Sequence, residues 1–129
     1  MRGVLAMFSV GDEDPCIRLR LPLPPSVNAM FINVAGRGRA KSALYKQWIE
    51  KAGWELKSQR PKKIKGRYDF TALVPENMPG DIDNRLKSLL DLLVTHQIIP
   101  DDRHARSVCI SRSVMVDVGA RVIVHEVAI

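Results

Sequence analysis

The sequence predicts a small single-domain α/β protein, a mixed β-sheet packed with two helices in the order β-α-β-α-β-β. Two observations carry that expectation. Two segments repeat apolar residues at helical spacing, and four shorter ones alternate or run apolar in the manner of strands. The chain has 129 residues and is 46% hydrophobic, which suits one core and excludes wholesale disorder.

Each element has its own signal. Cys16 to Leu21 alternates Ile17, Leu19 and Leu21 with Arg18 and Arg20, the period of a half-buried strand. Pro22, Pro24 and Pro25 end it, because proline donates no ladder hydrogen bond. Ser26 to Lys41 is expected to be a loop, rich in glycine and arginine around Gly36-Arg37-Gly38-Arg39. Ser42 can cap the helix that follows, in which Leu44, Trp48, Ala52 and Leu56 recur every four residues beside Tyr45 and Ile49. That helix fades before Pro61. Tyr68 to Val74 alternates again and is the second strand, closed by a turn over Pro75 to Gly80. Asp81 to about Gln97 is the second helix, with Asp81 at its entrance and Leu86, Leu89, Leu90 and Leu93 at i, i+3, i+4 and i+7. Ser107 to Val116 and Arg121 to Val127 are the last two strands, joined as a hairpin through Gly119-Ala120. Residues 1–15 are expected to be a loose N-terminal extension, leaving one domain over 16–129.

Formal net charge is +6, a balance that favours polyanions, nucleic acid first. Lys57 to Arg67 concentrates it, with Lys57, Arg60, Lys62, Lys63, Lys65 and Arg67 and no acid. Together with Arg37, Arg39 and Lys41, the residues Lys62, Lys63, Lys65 and Arg67 form a candidate phosphate-tracking surface. No apolar run reaches the roughly 20 residues of a membrane span, so no membrane partner is expected. Cys16 and Cys109 have no CxxC or finger spacing, and His96, His104 and His125 are scattered, so neither a disulfide framework nor a zinc site is expected. Two free thiols suit a reducing, cytoplasmic compartment.

The chemistry concentrates in Gly80-Asp81-Ile82-Asp83-Asn84-Arg85-Leu86-Lys87-Ser88-Leu89-Leu90-Asp91. At about 100° per residue, Asp83, Lys87 and Asp91 fall within an arc of about 80°, beside the arc of the leucines. Asp81 lies where the positive end of the helix dipole favours anions. Carboxylates so spaced suit a hard cation such as Mg²⁺, which needs few protein oxygens because it keeps several waters. Asp101-Asp102, past the helix, offers a further ligand, and a lysine one turn from Asp83 can offset charge on a reacting phosphate. The bland alternative makes Asp81 and Asp83 caps and the Lys87 pairs ordinary i,i+4 contacts, each worth about 0.2–0.5 kcal/mol. A protein that binds DNA structures without cutting them would keep the basic surface and use the aspartates in that way. A small-molecule enzyme is disfavoured, because no glycine-rich phosphate loop or nucleophile motif is present.

Three pieces, in order, resemble the RusA family of Holliday junction resolvases: Leu-Pro-Leu-Pro-Pro-Ser-Val-Asn at 21–28, Asp-Ile-Asp-Asn-Arg-Leu-Lys at 81–87 followed by Asp91, and Ile-Ile-Pro-Asp-Asp at 98–102. The resemblance implies an endodeoxyribonuclease of recombination and repair, bacterial or phage-encoded, that resolves four-way DNA junctions as a homodimer. It implies Mg²⁺ dependence, with Mn²⁺ as a substitute. By position, Asp81, Asp83 and Asp102 match the family's acidic metal ligands and Lys87 its catalytic lysine. Asn28, Asn84, Asp91 and Asp101 match supporting positions near that site. Where some members carry arginines before the acidic motif, this chain has Met78-Pro79-Gly80, and the charge is expected in 57–67 instead. A nuclease with flap or plain-duplex preference would share the same site.

Overall fold

A computed structural model describes residues 16–36 and 38–127. The extension expected over 1–15, and Arg37, lie outside the described residues. Strand β1 (Cys16–Leu21) buries Ile17, Leu19 and Leu21 and exposes Arg18 and Arg20, as its alternation demands. The next stretch departs from the expected loop. It holds a one-turn helix α1 (Val27–Met30) and an antiparallel hairpin of β2 (Phe31–Val34) and β3 (Gly38–Lys41). Its glycine signal does mark a turn, since Gly36 and Gly38 take φ of 76° and 78°. The flanking strands are short and mostly exposed, so their burial leaves no alternating pattern to read.

Helix α2 (Ala43–Ser58) begins where its cap places it: Ser42 Oγ accepts from the Tyr45 amide at 3.1 Å. Its buried residues are Tyr45, Trp48, Ala52, Gly53 and Leu56. Leu44, expected on the core face, is 52% exposed. At about 100° per residue it stands about 85° from the centre of the arc formed by Tyr45, Trp48, Ala52 and Leu56, so the four-residue spacing drifted off the true face. Past the helix end, the Gln59 side chain accepts from the Arg20 amide at 2.9 Å and donates to the Arg20 carbonyl at 2.7 Å. It thereby satisfies part of the free edge of β1.

Strand β4 (Tyr68–Pro75), helix α3 (Asp83–Thr95), strand β5 (Ala105–Ser113) and strand β6 (Ala120–Glu126) complete the chain. The four-stranded sheet has the order β1-β6-β4-β5, with β4 and β5 parallel and the other pairs antiparallel. The main sheet and two long helices therefore follow the predicted order, a mixed sheet packed with helices, with α1 and the small hairpin added. The expected hairpin between the last two strands does not form, because β6 lies between β1 and β4. Burial explains the choice. Val122, Val124 and Ala120 are at most 1% exposed, and only a central strand covers them, whereas the largely exposed β5 suits an edge. Gly119 still makes the turn into β6, at φ 75°, where a Cβ would stand 2.7 Å from the Leu21 carbonyl oxygen.

One core joins the buried face of the sheet to both long helices, with Tyr68, Phe70, Leu56, Leu89 and Leu93 fully buried in it. Among the described residues no helix is long and apolar enough to cross a membrane. Two truncations on α2 test its orientation. Leu56→Ala is expected to cost about 2–5 kcal/mol and Leu44→Ala no more than about 0.5 kcal/mol in urea unfolding. The reverse ranking would put the core on the other side of this helix.

Candidate active site

The acidic motif sits between the end of β4 and the start of α3. Pro79 and Gly80 set its backbone, Gly80 in the left-handed region at φ 85°. The N-cap of α3 is Ile82, and no side chain caps the helix. The capping role that the bland alternative gave Asp81 and Asp83 is therefore not taken up. Asp81 and Asp83 are both exposed. Asn84 Nδ2 donates to Asp81 Oδ2 at 2.8 Å and fixes that carboxylate. Lys87 pairs with Asp91 at 3.6 Å, whereas Asp83 makes no ion pair among the described residues.

Sequence reasoning missed the residues that hold this segment. Arg85 is only 5% exposed, and its guanidinium donates to the carbonyls of Pro24 at 3.0 Å, Pro79 at 2.7 Å and Asp81 at 3.0 Å. Burial pulls its pKa below the usual guanidinium value, Asp81 draws it back up and Arg112 lowers it further. Arg112 reaches in from β5 and donates to the carbonyls of Gly80 at 2.8 Å and Met78 at 3.4 Å. Positive charge therefore stands beside the acidic motif as well, besides the basic segment 57–67 expected to take its place. A signal was available: adding Leu92 to the leucine stripe moves its centre toward Leu89 and brings Arg85 into the buried arc.

The second acidic group follows α3. Ile98 and Ile99 are buried, and behind them Tyr68 Oη donates to the carbonyls of Pro100 at 3.2 Å and Asp101 at 3.3 Å. Burial, then the charges of Asp102 and Asp101, push the Tyr68 pKa up to about 12, so it remains a donor. Asp101 Oδ1 accepts from the Arg103 amide at 3.3 Å and opens a single 3-10 turn over Asp102–His104. The two neighbouring carboxyls act on each other's titration. The hydrogen bond to Asp101 raises Asp102, with burial and Asp101's charge adding to it, and the same bond holds Asp101 below the usual carboxylate range. Lys87 lowers Asp102 and Asp91 raises it, which places both α3 residues in the field of this turn.

The structure therefore joins Lys87, Asp91, Asp101 and Asp102 electrostatically, and holds Asp81 with Asn84 at the start of the same helix. Asp83 and Asp91 are about 12 Å apart along the helix axis. Among the described residues no three His, Cys, Asp or Glu side chains form a group that would hold an ion unaided. The donors are all-oxygen and exposed. That chemistry fits a hard cation bound by one or two carboxylates and water, not one enclosed by protein.

Basic residues flank the acidic edge. Lys41 lines a groove of about 370 Å³ with Asp91, Ser88 and Tyr45. Lys65 lines another of about 400 Å³ with Asp101 and Pro100. Between exposed Lys63 and Lys65, Ile64 is buried and its amide donates to the Ile98 carbonyl at 2.8 Å, pinning the basic segment next to the acidic turn. Lys62 and Arg67 are exposed on the same segment. Arg39 instead lies over the Phe31 ring, 4.1 Å from its centroid, and Asn28 is exposed on α1 with no side-chain hydrogen bond among the described residues. A depression of about 630 Å³ beside β1 and β6 includes none of the acidic-motif residues.

Residues 22–125 match the family described as endodeoxyribonuclease RusA. The chain belongs to the RusA family. The RusA match takes in the proline-rich strand end, the acidic motif and the Asp101-Asp102 turn. A crossover junction endodeoxyribonuclease RusA from Aquifex aeolicus (strain VF5) is 31% identical over 103 residues, covering 74% of this chain and 77% of that relative. RusA membership makes this chain an endodeoxyribonuclease.

A carboxyl titration tests the electrostatics. In metal-free protein the Asp102 carboxyl carbon, followed by NMR, is expected to titrate above its ordinary value. Asp101→Asn removes the like charge and should bring it down, whereas Lys87→Ala should drive it further up. An Asp102 titration indifferent to both changes would remove the group from this neighbourhood.

Proposed function

We propose that this chain is a structure-selective endodeoxyribonuclease that resolves four-way DNA junctions by Mg²⁺-dependent phosphodiester hydrolysis, acting as a homodimer. One observation carries the reading: an exposed acidic helix edge bearing Lys87, with Lys41 lining a groove beside Asp91 and Lys65 lining one beside Asp101. Phosphodiester cleavage needs anionic ligands for a hard cation, a fixed positive charge near the scissile phosphate, and a basic track for the flanking backbone.

Asp81, Asp83 and Asp102 are the residues that would hold Mg²⁺, or Mn²⁺ in its place. When bound, such an ion polarises the phosphate and lowers the pKa of coordinated water. The remaining work falls to the chain's own residues. Asn84 holds the Asp81 carboxylate in one orientation. Lys87 offsets negative charge that builds on the phosphate, and its pairing with Asp91 keeps its ammonium at the acidic edge. Arg37, Arg39, Lys41, Lys62, Lys63, Lys65 and Arg67 carry phosphate contacts, whose affinity falls with salt and reads no sequence. Homodimerisation follows from the substrate, since a C2 pair can nick two opposed strands of a two-fold junction. The setting is the cytoplasm, on bacterial or phage DNA undergoing recombination or repair.

The test compares a mobile four-way junction with matched linear duplex, in Mg²⁺ and in EDTA, for wild type and Asp83→Asn. Paired, symmetric, Mg²⁺-dependent nicks in the junction are expected. Asp83→Asn should lose at least about 100-fold in rate, since a direct ligand costs no less than the groups behind it, with junction binding retained. Equal cutting of linear duplex would overturn the junction preference, and binding without cleavage in either metal would overturn the enzyme reading.

A further inference from the structure

Four consecutive backbone carbonyls lead into the acidic motif, and two arginines take them alternately. Arg112 donates to the backbone oxygens of Met78 and Gly80. Arg85 donates to those of Pro79 and Asp81, and its Nε reaches the Pro24 carbonyl. Neither guanidinium makes an ion pair with a carboxylate among the described residues. The buried Arg85 guanidinium, hydrogen-bonded only to backbone carbonyls, is costly to replace, and its geometry is demanding, because each N–H must meet its own oxygen. The segment has little else to hold it. Its other backbone bond is from the Met78 amide to Pro75, at 3.2 Å.

We propose that Arg85 and Arg112 are positioning residues, which act through the backbone of 78–81 to aim the Asp81 carboxylate, and with it the entry of α3 at Asp83, at a divalent cation. The inference rests on the reading above that these carboxylates hold the ion. The two arginines come from different elements, α3 and β5, so the motif is registered against both the helix and the sheet. Gly80 belongs to the same device. A Cβ there would stand 3.1 Å from Arg85 Nη1, on a backbone at φ 85° that side chains resist. Lysine cannot substitute for Arg85, since one ammonium does not span carbonyls that Nε and Nη1 reach separately.

The experiment measures binding of Mn²⁺ alone by EPR, on metal-free full-length protein, for wild type, Arg85→Lys and Arg112→Lys. Melting temperature, junction binding in EDTA and the Mg²⁺ concentration for half-maximal cleavage are read in parallel. Each variant keeps its charge and is expected to lose about 10–100-fold in Mn²⁺ affinity, with a matching rise in the Mg²⁺ requirement and unchanged junction binding. The exposed Arg112 keeps the test open should Arg85→Lys fail to fold. A lowered melting temperature with unaltered Mn²⁺ affinity and Mg²⁺ requirement would overturn the proposal and leave the arginines as fold supports. Wild type that binds Mn²⁺ and cuts no DNA would instead overturn the nuclease reading alone, with the affinities of the variants still deciding this one.

Discussion

A guanidinium buried without a carboxylate to neutralise it, that of Arg85, is the constraint on which the geometry of the site depends. It joins three parts of the chain that sequence separates: the proline-rich end of β1, the turn before α3 and α3 itself. The arrangement explains why a strand-end motif and an acidic motif some 60 residues apart occur together. The first supplies a carbonyl, through Pro24, that the second needs. Breaking one partner of a buried charge costs several kcal/mol, as a rule more than intact pairing contributes. Met30 adds a weaker tie between the same regions, its sulfur accepting from Ser88 Oγ at 3.7 Å.

The acidic edge is built against its own electrostatic comfort. Asp101 and Asp102 are adjacent carboxyls shifted in opposite directions, and their shifts act on stability in opposite senses. The raised Asp102 contributes stability below its unfolded value and loses it as pH rises through the folded one. The lowered Asp101 contributes above its unfolded value and loses it as pH falls through the folded one. At neutral pH the cost falls on Asp102, where Lys87 offsets part of it. A cation bound there, as the proposed function requires, would relieve the repulsion between the two carboxyls. Lys41 and Lys65 line grooves beside Asp91 and beside Asp101, where the proposed function runs a polyanion's backbone.

What could be read from sequence was what burial writes into local periodicity. The alternation of β1 and β4, the Ser42 cap and the stripe of Leu89 and Leu93 all describe one element at a time, and each appears in the structure. Pairing was legible only in part. Adjacent strands with a turn between them suggested a hairpin, but Val122 and Val124 require a central strand, which sends β6 across to β1 and β4. The β2–β3 hairpin left no pattern because little of it is buried. In the site, exposed residues such as Asp81, Asp83, Lys87 and Asp102 were visible as chemistry without a core reason to exist. Arg85 and Arg112 were not, because their partners are carbonyls, which every residue carries and no sequence distinguishes.

In the proposed function, one helix edge and the turn beside it hold the cation that cuts DNA. Replacing Mg²⁺ with Fe²⁺ and generating hydroxyl radicals cuts a polypeptide next to its bound metal. Mass spectrometry should find those cuts close to residues 81–83 and 101–102, suppressed by excess Mg²⁺. Cuts confined to other segments, or a pattern indifferent to Mg²⁺, would contradict it.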